Sequence, residues 1–397
     1  MSFELVKLGE VAKFIRGVSY KPNDLVENFS ENSIVCMRTA NVQKKLDETD
    51  MLSIPLTIVK DKTKYLQEGD ILVSTANSWN LVGKCSWIPK LEYLATAGGF
   101  ISILRADDKK IDRRYLYHWF NSDRTQIQAR NCGRQTTNIS NMDLDRALSL
   151  KIPLPPLSEQ KRIADILDKA DELRQKRQQS IEKLDELLQA TFIDMFGDPV
   201  TNPKEWEKET IEKVCKQVID CPHSTPKWTE SGEICLRTSN LGKGEWIWDD
   251  TRYIDTVQFE ERTRRSKLFT GDIVLSREGT IGIAAIVEKD MNLSLGQRLV
   301  QLTPNTEIIL SEFLLQVLLY DLDPIRITRL MVGSTSKHIN VKDLRNLKIF
   351  IPPLELQEKW TVFSNKLRQQ KQVLKKQLAQ QENLFQSLQQ RAFNGEL

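Results

Sequence analysis

The chain writes one design twice, with a period near 200 residues, and that repetition constrains its fold more than any other feature. Ile34-Val35-Cys36-Met37-Arg38-Thr39-Ala40-Asn41 recurs as Ile234-Cys235-Leu236-Arg237-Thr238-Ser239-Asn240, the cysteine moving by 199 positions (235 − 36). Gly69-Asp70-Ile71-Leu72-Val73-Ser74 recurs as Gly271-Asp272-Ile273-Val274-Leu275-Ser276, a shift of 202 (271 − 69). Asn138-Ile139-Ser140 with Asp143-Leu144 matches His338-Ile339-Asn340 with Asp343-Leu344, a shift of 200 (338 − 138). Ile152-Pro153-Leu154-Pro155-Pro156-Leu157 then matches Ile351-Pro352-Pro353-Leu354. A period this long means two domains rather than a solenoid, and 397 residues exceed one ordinary core.

Each copy has two parts. The first mixes short β-rich runs, such as 71–74, 100–104, 273–276 and 299–302, with Gly, Asn and Asp turns. Helical stretches are expected over 113–128 and 311–320. These parts read as mixed α/β globules. After the Pro-Pro stop, residues 158–196 contain no Gly or Pro until Gly197-Asp198-Pro199, and residues 355–393 are similarly uninterrupted before Gly395. Ile163, Ile166, Ala170, Leu173, Ile181, Leu184 and Leu188 mark one face of the first segment at three- and four-residue steps; Leu367, Leu374, Leu378, Leu384, Leu388 and Ala392 mark the second. The expected seam is Ile163, Ala170, Leu173, Leu184, Leu188, Leu367, Leu374, Leu384 and Leu388. Helices of this length span roughly 60 Å and need a partner along most of it. Two readings stand: each packs on its own globule, or the two pair antiparallel and hold the globules apart as a ruler. The domains expected are 1–152, 153–197, 198–350 and 351–397.

Composition narrows the chemistry. Hydrophobic residues make up 40% and charged residues 28%, the balance of a globular protein. Net charge is only +3, so a polyanion-binding surface must come from local clustering. No apolar run approaches the ~20 residues of a membrane span, the start lacks a secretory layout, and a cytoplasmic protein is expected. Six cysteines are scattered without framework spacing. The one cluster worth testing for metal, Cys215, Cys221, His223 and Cys235, lacks a Cys-x-x-Cys knuckle. No metal ligand set and no catalytic residue is assigned. Three histidines in dissimilar contexts offer no triad, and no Gly-x-x-x-x-Gly-Lys loop is present.

Four elements together carry a family resemblance: the two Gly-Asp-Ile-x-x-Ser blocks, the Asn-Ile-Ser and His-Ile-Asn blocks, the Pro-Pro-Leu-x-x-Gln helix starts, and the ending Arg391-Ala392-Phe393-Asn394-Gly395-Glu396-Leu397. In this order the chain resembles the specificity subunits of type I restriction-modification enzymes across essentially its full length. The resemblance implies two tandem target-recognition domains separated by an antiparallel two-helix coiled coil, each domain reading one half of a split, asymmetric site in double-stranded DNA. It also implies two modification (methyltransferase) subunits and, in the full complex, restriction subunits as partners. S-adenosylmethionine, ATP and Mg would then belong to those partners and no cofactor to this chain. The rival readings are a coiled-coil protein-interaction scaffold, or a methylase or nuclease with cryptic motifs.

Groove reading needs Arg or Lys for guanine, Asn or Gln for adenine, and basic groups for phosphate. Candidate residues in the first copy are Arg38, Asn41, Asn77, Ser78, Trp79, Asn80, Lys84, Arg134, Gln135, Thr136, Thr137 and Asn138. Those in the second are Arg237, Asn240, Lys243, Arg277, Glu278, Thr280, Arg326, Arg329, Ser334, Thr335, Ser336, Lys337 and His338. Because Arg38 with Asn41 recurs as Arg237 with Asn240, a shared structural role competes with phosphate contact. The loop after Ser74 is longer than its counterpart after Ser276 and carries amides and Trp79 where the other has Arg277, Glu278 and Gly279. Different loops on matched scaffolds suggest different half-sites.

Overall fold

The two Gly-Asp-Ile blocks start the central strands. Gly69 and Gly271 sit at φ +88° and +92°, a left-handed conformation open to glycine without strain, and turn the chain into the fully buried strands Ile71–Ser74 and Ile273–Ser276. The aspartate locks each turn: Asp70 accepts from the Gln67 amide at 2.8 Å, Asp272 from the Phe269 amide at 2.7 Å. The computed structural model describes residues 3–135, 139–265, 267–323 and 338–397, with the backbone alone for Arg134 and Gln135. It divides into two units, Met1–Gln178 with Lys376–Leu397, and Gln179–Lys375.

In the first unit an antiparallel sheet runs Ala12–Arg16, Ile101–Ala106, Ile71–Ser74, Cys85–Trp87. A second sheet orders Ser53–Pro55, Ser33–Met37 and Ala95–Ala97, its last pair parallel. Leu5–Lys7 pairs with Lys151–Pro153 just before the long helix. The second unit repeats all three: Cys215–Asp220, Leu299–Pro304, Ile273–Ser276, Ala284–Ile286; then Tyr253–Ile254, Glu233–Leu236, Leu293–Leu295; then Lys208–Thr210 with Lys348–Phe350. The mixed α/β globule is therefore present twice, with one strand order. The helical stretch expected over 113–128 is instead two helices, Arg113–Phe120 and Asp123–Asn131. The break falls at Ser122, the N-cap residue of the second helix, whose hydroxyl donates back to the Trp119 carbonyl of the first at 2.7 Å. Its counterpart in the second unit is the helix Ser311–Asp321.

The long helices are Leu157–Phe196 and Leu354–Asn394. Each is tied to its globule by the glutamine of the Pro-Pro-Leu-x-x-Gln motif. Gln160, 1% exposed, accepts from the Asp112 amide at 2.8 Å and donates to the carbonyls of Pro155 at 2.8 Å and Lys110 at 3.3 Å. Gln357, 0% exposed, accepts from the Leu310 amide at 2.8 Å and donates to Pro352 at 2.8 Å and Ile308 at 3.1 Å. A buried amide costs free energy unless its donors and acceptor are met, and here each globule meets them identically.

Within each unit the helices pair antiparallel. In the first, Arg162 donates to the Leu397 carbonyl at 2.9 Å, the Arg174 guanidinium lies 4.0 Å over the Phe385 ring, and Arg177 bonds Gln377 at 2.7 Å. In the second, Phe192 packs on Trp360 at 5.1 Å between centroids and Lys371 pairs with Asp185 at 2.6 Å. The non-exposed positions step by four and three without a break: 163, 167, 170, 174, 177, 181, 184 and 188 on one helix, 360, 364, 367, 371, 374, 378, 381, 385, 388 and 392 on the other. That alternation is the heptad of a coiled coil. Leu173 and Leu384, expected in the seam, are each 57% exposed and lie outside it. Each stands one residue before a true seam position, where Arg174 and Phe385 sit; leucine identity pointed one way and the register went the other. The helices also pack on the globules. Ile163, Ala164 and Leu167 share a core with Tyr115 and Leu116, and Phe192, Phe196 and Trp360 share one with Phe313 and Phe350.

Candidate nucleic-acid interface

The repeated Arg-x-x-Asn pairs are scaffold. Asn41 is 1% exposed; its Oδ1 accepts from the Arg38 amide at 2.7 Å, and its Nδ2 donates to the carbonyls of Asp47 at 2.8 Å and Asp50 at 3.1 Å. Asn240 is 0% exposed; its Oδ1 accepts from the Arg237 amide at 2.9 Å, its Nδ2 donating to Ile247 at 3.1 Å and Asp250 at 3.3 Å. Arg38 bonds Asp50 at 2.7 Å and Arg237 bonds Asp250. With every polar atom of the asparagine spent inside the turn, Asn41 and Asn240 are withdrawn as DNA contacts, and the two arginines serve first as clamps on their turns.

Backbone pairing corrects the alignment of the third repeated block. The Met142 amide donates to the Thr75 carbonyl at 2.8 Å, and the Ile339 amide donates to Arg277 at 2.9 Å. Asp143 and Asn340 then stand at the N-caps of the helices Leu144–Leu148 and Val341–Asn346. Asn141-Met142-Asp143 therefore corresponds to His338-Ile339-Asn340, an offset of 197 (340 − 143) rather than 200. Burial agrees, since Ile339 is 0% and Met142 6% exposed while Ile139 is 48% exposed.

This register brings the candidate loops together. In the first unit Gly133–Gln135, Ser140–Met142 and Ala76–Asn77 form a three-stranded sheet, with Ser140 opposite Asn77. The backbone of Arg134 and Gln135 thus lies in one sheet with Asn77. Asn77 shapes its own turn, accepting from the Ser78 amide at 2.8 Å. Ser78 and Asn80 are exposed, and Trp79 is 43% exposed with the Arg130 guanidinium 5.7 Å from its ring. Lys84 is half-buried and engaged by Gln43. In the second unit Glu278 bridges His338 across the matching strand positions, and Arg298 lies 3.6 Å from Glu278. Arg277 holds Asp220 at 3.0 Å with a side chain 12% exposed, while Thr280 is exposed. Lys243 is not part of this grouping; it pairs with Asp323 at 3.4 Å. Thr136, Thr137, Asn138, Arg326, Arg329, Ser334, Thr335, Ser336 and Lys337, with the side chains of Arg134 and Gln135, lie outside the described residues.

Arg130 and Arg298 join the candidates only through the structure. Arg130 falls beyond the helix expected to end at 128, and Arg298 is set at φ +71° beside Glu278 by a turn that no motif announces. All six cysteines are buried free thiols, and burial pushes Cys36, Cys85 and Cys215 up to about 12. Cys215, Cys221, His223 and Cys235 do not converge, and among the described residues no group of three or more side chains could hold a metal ion. Among them, too, no helix is long and apolar enough to cross a membrane.

Two like globules, each clamped by a buried glutamine to one of two paired helices, match one known architecture. The sequence model of the type I restriction modification DNA specificity domain matches residues 2–183 and again 203–381. The chain belongs to that family. Among specificity subunits it is 26% identical to that of the type I restriction enzyme EcoKI of Escherichia coli (strain K12), over 99% of this chain and 89% of that one. It is 25% identical to the MjaVIII specificity subunit of Methanocaldococcus jannaschii, over 90% of this chain and 84% of that one. A crystal structure of the type I restriction-modification S subunit from M. genitalium shares the fold with a TM-score of 0.59 at 15% identity, covering 99% of this chain and 96% of that one. Specificity chains of this kind, built as tandem domains, account for the double globule.

Proposed function

We propose that this chain is the DNA sequence-specificity subunit of a type I restriction-modification complex, and that each globule reads one half of a bipartite, asymmetric site. The carrying observation is the contrast between scaffold and loop: one strand order, one Asn-capped turn and one Gln clamp in both units, with different side chains at matched loop positions. In this reading Trp79, Asn80 and Arg130 serve one half-site, and Glu278, Thr280 and Arg298 the other. The paired helices set the spacing and dock two modification subunits. The chain reads while its partners act: S-adenosylmethionine, ATP and Mg sit on the modification and restriction subunits, in the cytoplasm.

Methylome sequencing of a host with and without this gene tests the proposal. Loss of adenine methylation at a split site with two unlike halves is the expected result. A continuous palindromic target, or methyl transfer by the purified chain alone, would sink it.

A further inference from the structure

The glutamine clamps put the two units in register, so that Arg114 corresponds to Glu312, His118 to Gln316, Asp168 to Asn365 and Asp171 to Arg368. In the first unit this place is filled. The Arg114 guanidinium lies 4.5 Å from the Trp87 ring and 4.8 Å from that of Tyr117, its Nε 3.0 Å from both oxygens of Asp168. His118, 1% exposed, lies 2.7 Å from the same carboxylate.

In the second unit the same place is a cleft of about 990 Å³. Ile286 stands at the strand position of Trp87, opposite Ile273 as Trp87 is opposite Ile71. Trp246 and Trp248 stack on its wall with centroids 5.3 Å apart and planes 18° from parallel, Trp248 remaining 39% exposed. Gln316 is 8% exposed, and its Oε1 is sealed from solvent without a donor. Among the described residues the carboxylates of Glu288 and Glu312 have no hydrogen-bond or ion-pair partner, whereas the lysines that line the cleft, Lys243, Lys371 and Lys375, are paired to Asp323, Asp185 and Glu245. Arg368 also lines the cleft; burial lowers its proton affinity, against the nearby charges of Glu312 and Glu288, which raise it.

Two carboxylates that share the charge of one buried arginine without a direct hydrogen bond, an unmet amide oxygen and an exposed indole face all call for a flat cationic donor. One arginine from this chain's own helix does not exhaust them. A guanidinium stacks on indole and offers five N–H groups in a plane, which an ammonium cannot do. A phosphate would meet acceptors at the carboxylates of Glu288 and Glu312 and at the Oε1 of Gln316. We propose that the cleft of the second unit receives an arginine side chain presented by a modification subunit, completing from outside what Arg114 completes from within in the first. This rests on the reading that a modification subunit is the partner.

The test is the affinity of the full-length chain for the modification subunit of its own system, with Trp248→Ala, Glu312→Gln and wild type compared. Each variant is expected to weaken assembly by about tenfold or more, with the methylated sequence unchanged in the residual complex. An arginine-to-alanine scan of the modification subunit should find one position whose loss adds nothing to Glu312→Gln. Folded variants that assemble at wild-type affinity overturn the proposal while leaving the functional reading intact. Loss of DNA affinity by the isolated chain with assembly unchanged overturns it too, placing the cleft on the DNA side. Failure of the wild-type chain to bind the modification subunit at all overturns the functional reading, and the occupant with it.

Discussion

Gln160 and Gln357 do identical work in the two units, yet two turns of helix away Asp168 and Asn365 do not. The glutamines bond three backbone groups each, and backbone geometry is what the repeats share. Asp168 instead bonds side chains, Arg114 and His118, which can change in concert if the charge is balanced elsewhere. At this helix start the position that satisfies backbone is shared by the copies, and the position that satisfies side chains is where they diverge.

The largest test of this comparison is Gln160→Leu beside Gln357→Leu. Each strands a buried amide N–H and two carbonyls, at about 3 kcal/mol per unit, and the costs should be equal. Denaturant melts followed by hydrogen exchange of each unit would read them, and a cost confined to one unit would break the equivalence. A smaller effect is expected for Asp168→Asn, which the second unit has no means to show. Burial raises the proton affinity of Asp168, but hydrogen bonds from His118 and Arg114 outweigh it and hold the carboxyl at about 2. Its folded value lies below the ~3.9 of an unfolded chain, so its contribution is complete above about pH 4 and disappears as pH falls through about 2. With the side chain 35% exposed, solvent screening leaves about 1–2 kcal/mol. The variant's stability should change less with pH between about 4 and 2 than that of the wild type. Smallest of all, Leu173→Ala and Leu384→Ala should each cost under about 0.5 kcal/mol, although both looked like seam residues. A thermal shift of several degrees in either would restore them to the seam.

The sequence made the duplication and the helix spans readable because both are local or repetitive signals. It misled where two signals competed. Asn-Ile-Ser resembled His-Ile-Asn as text, but pairing to Thr75 and Arg277 moved the match by three residues. Leucines suggested the seam, whereas its register runs through Arg174, Arg177, Lys371 and Gln381. Arg38 with Asn41 drew notice by recurring, yet recurrence is what a scaffold needs; residues that read different half-sites should differ. The cleft of the second unit had no sequence signal, since it depends on Ile286 replacing Trp87 across a strand pair and on Gln316 facing Arg368's helix.

The first unit contains Lys376–Leu397. Phe385 and Ala392 lie in the same core as Leu8, Tyr115 and Ile152, with Leu388, Phe393 and Leu397 packed against it. The core of the first unit is therefore built from two stretches of chain that enclose the second unit, Gln179–Lys375, in sequence, whereas the second unit is one continuous stretch. A premature stop after residue 375 would strip Phe385 and Ala392 from the core they share with Leu8 and Tyr115, so its cost is expected in the amino-terminal half.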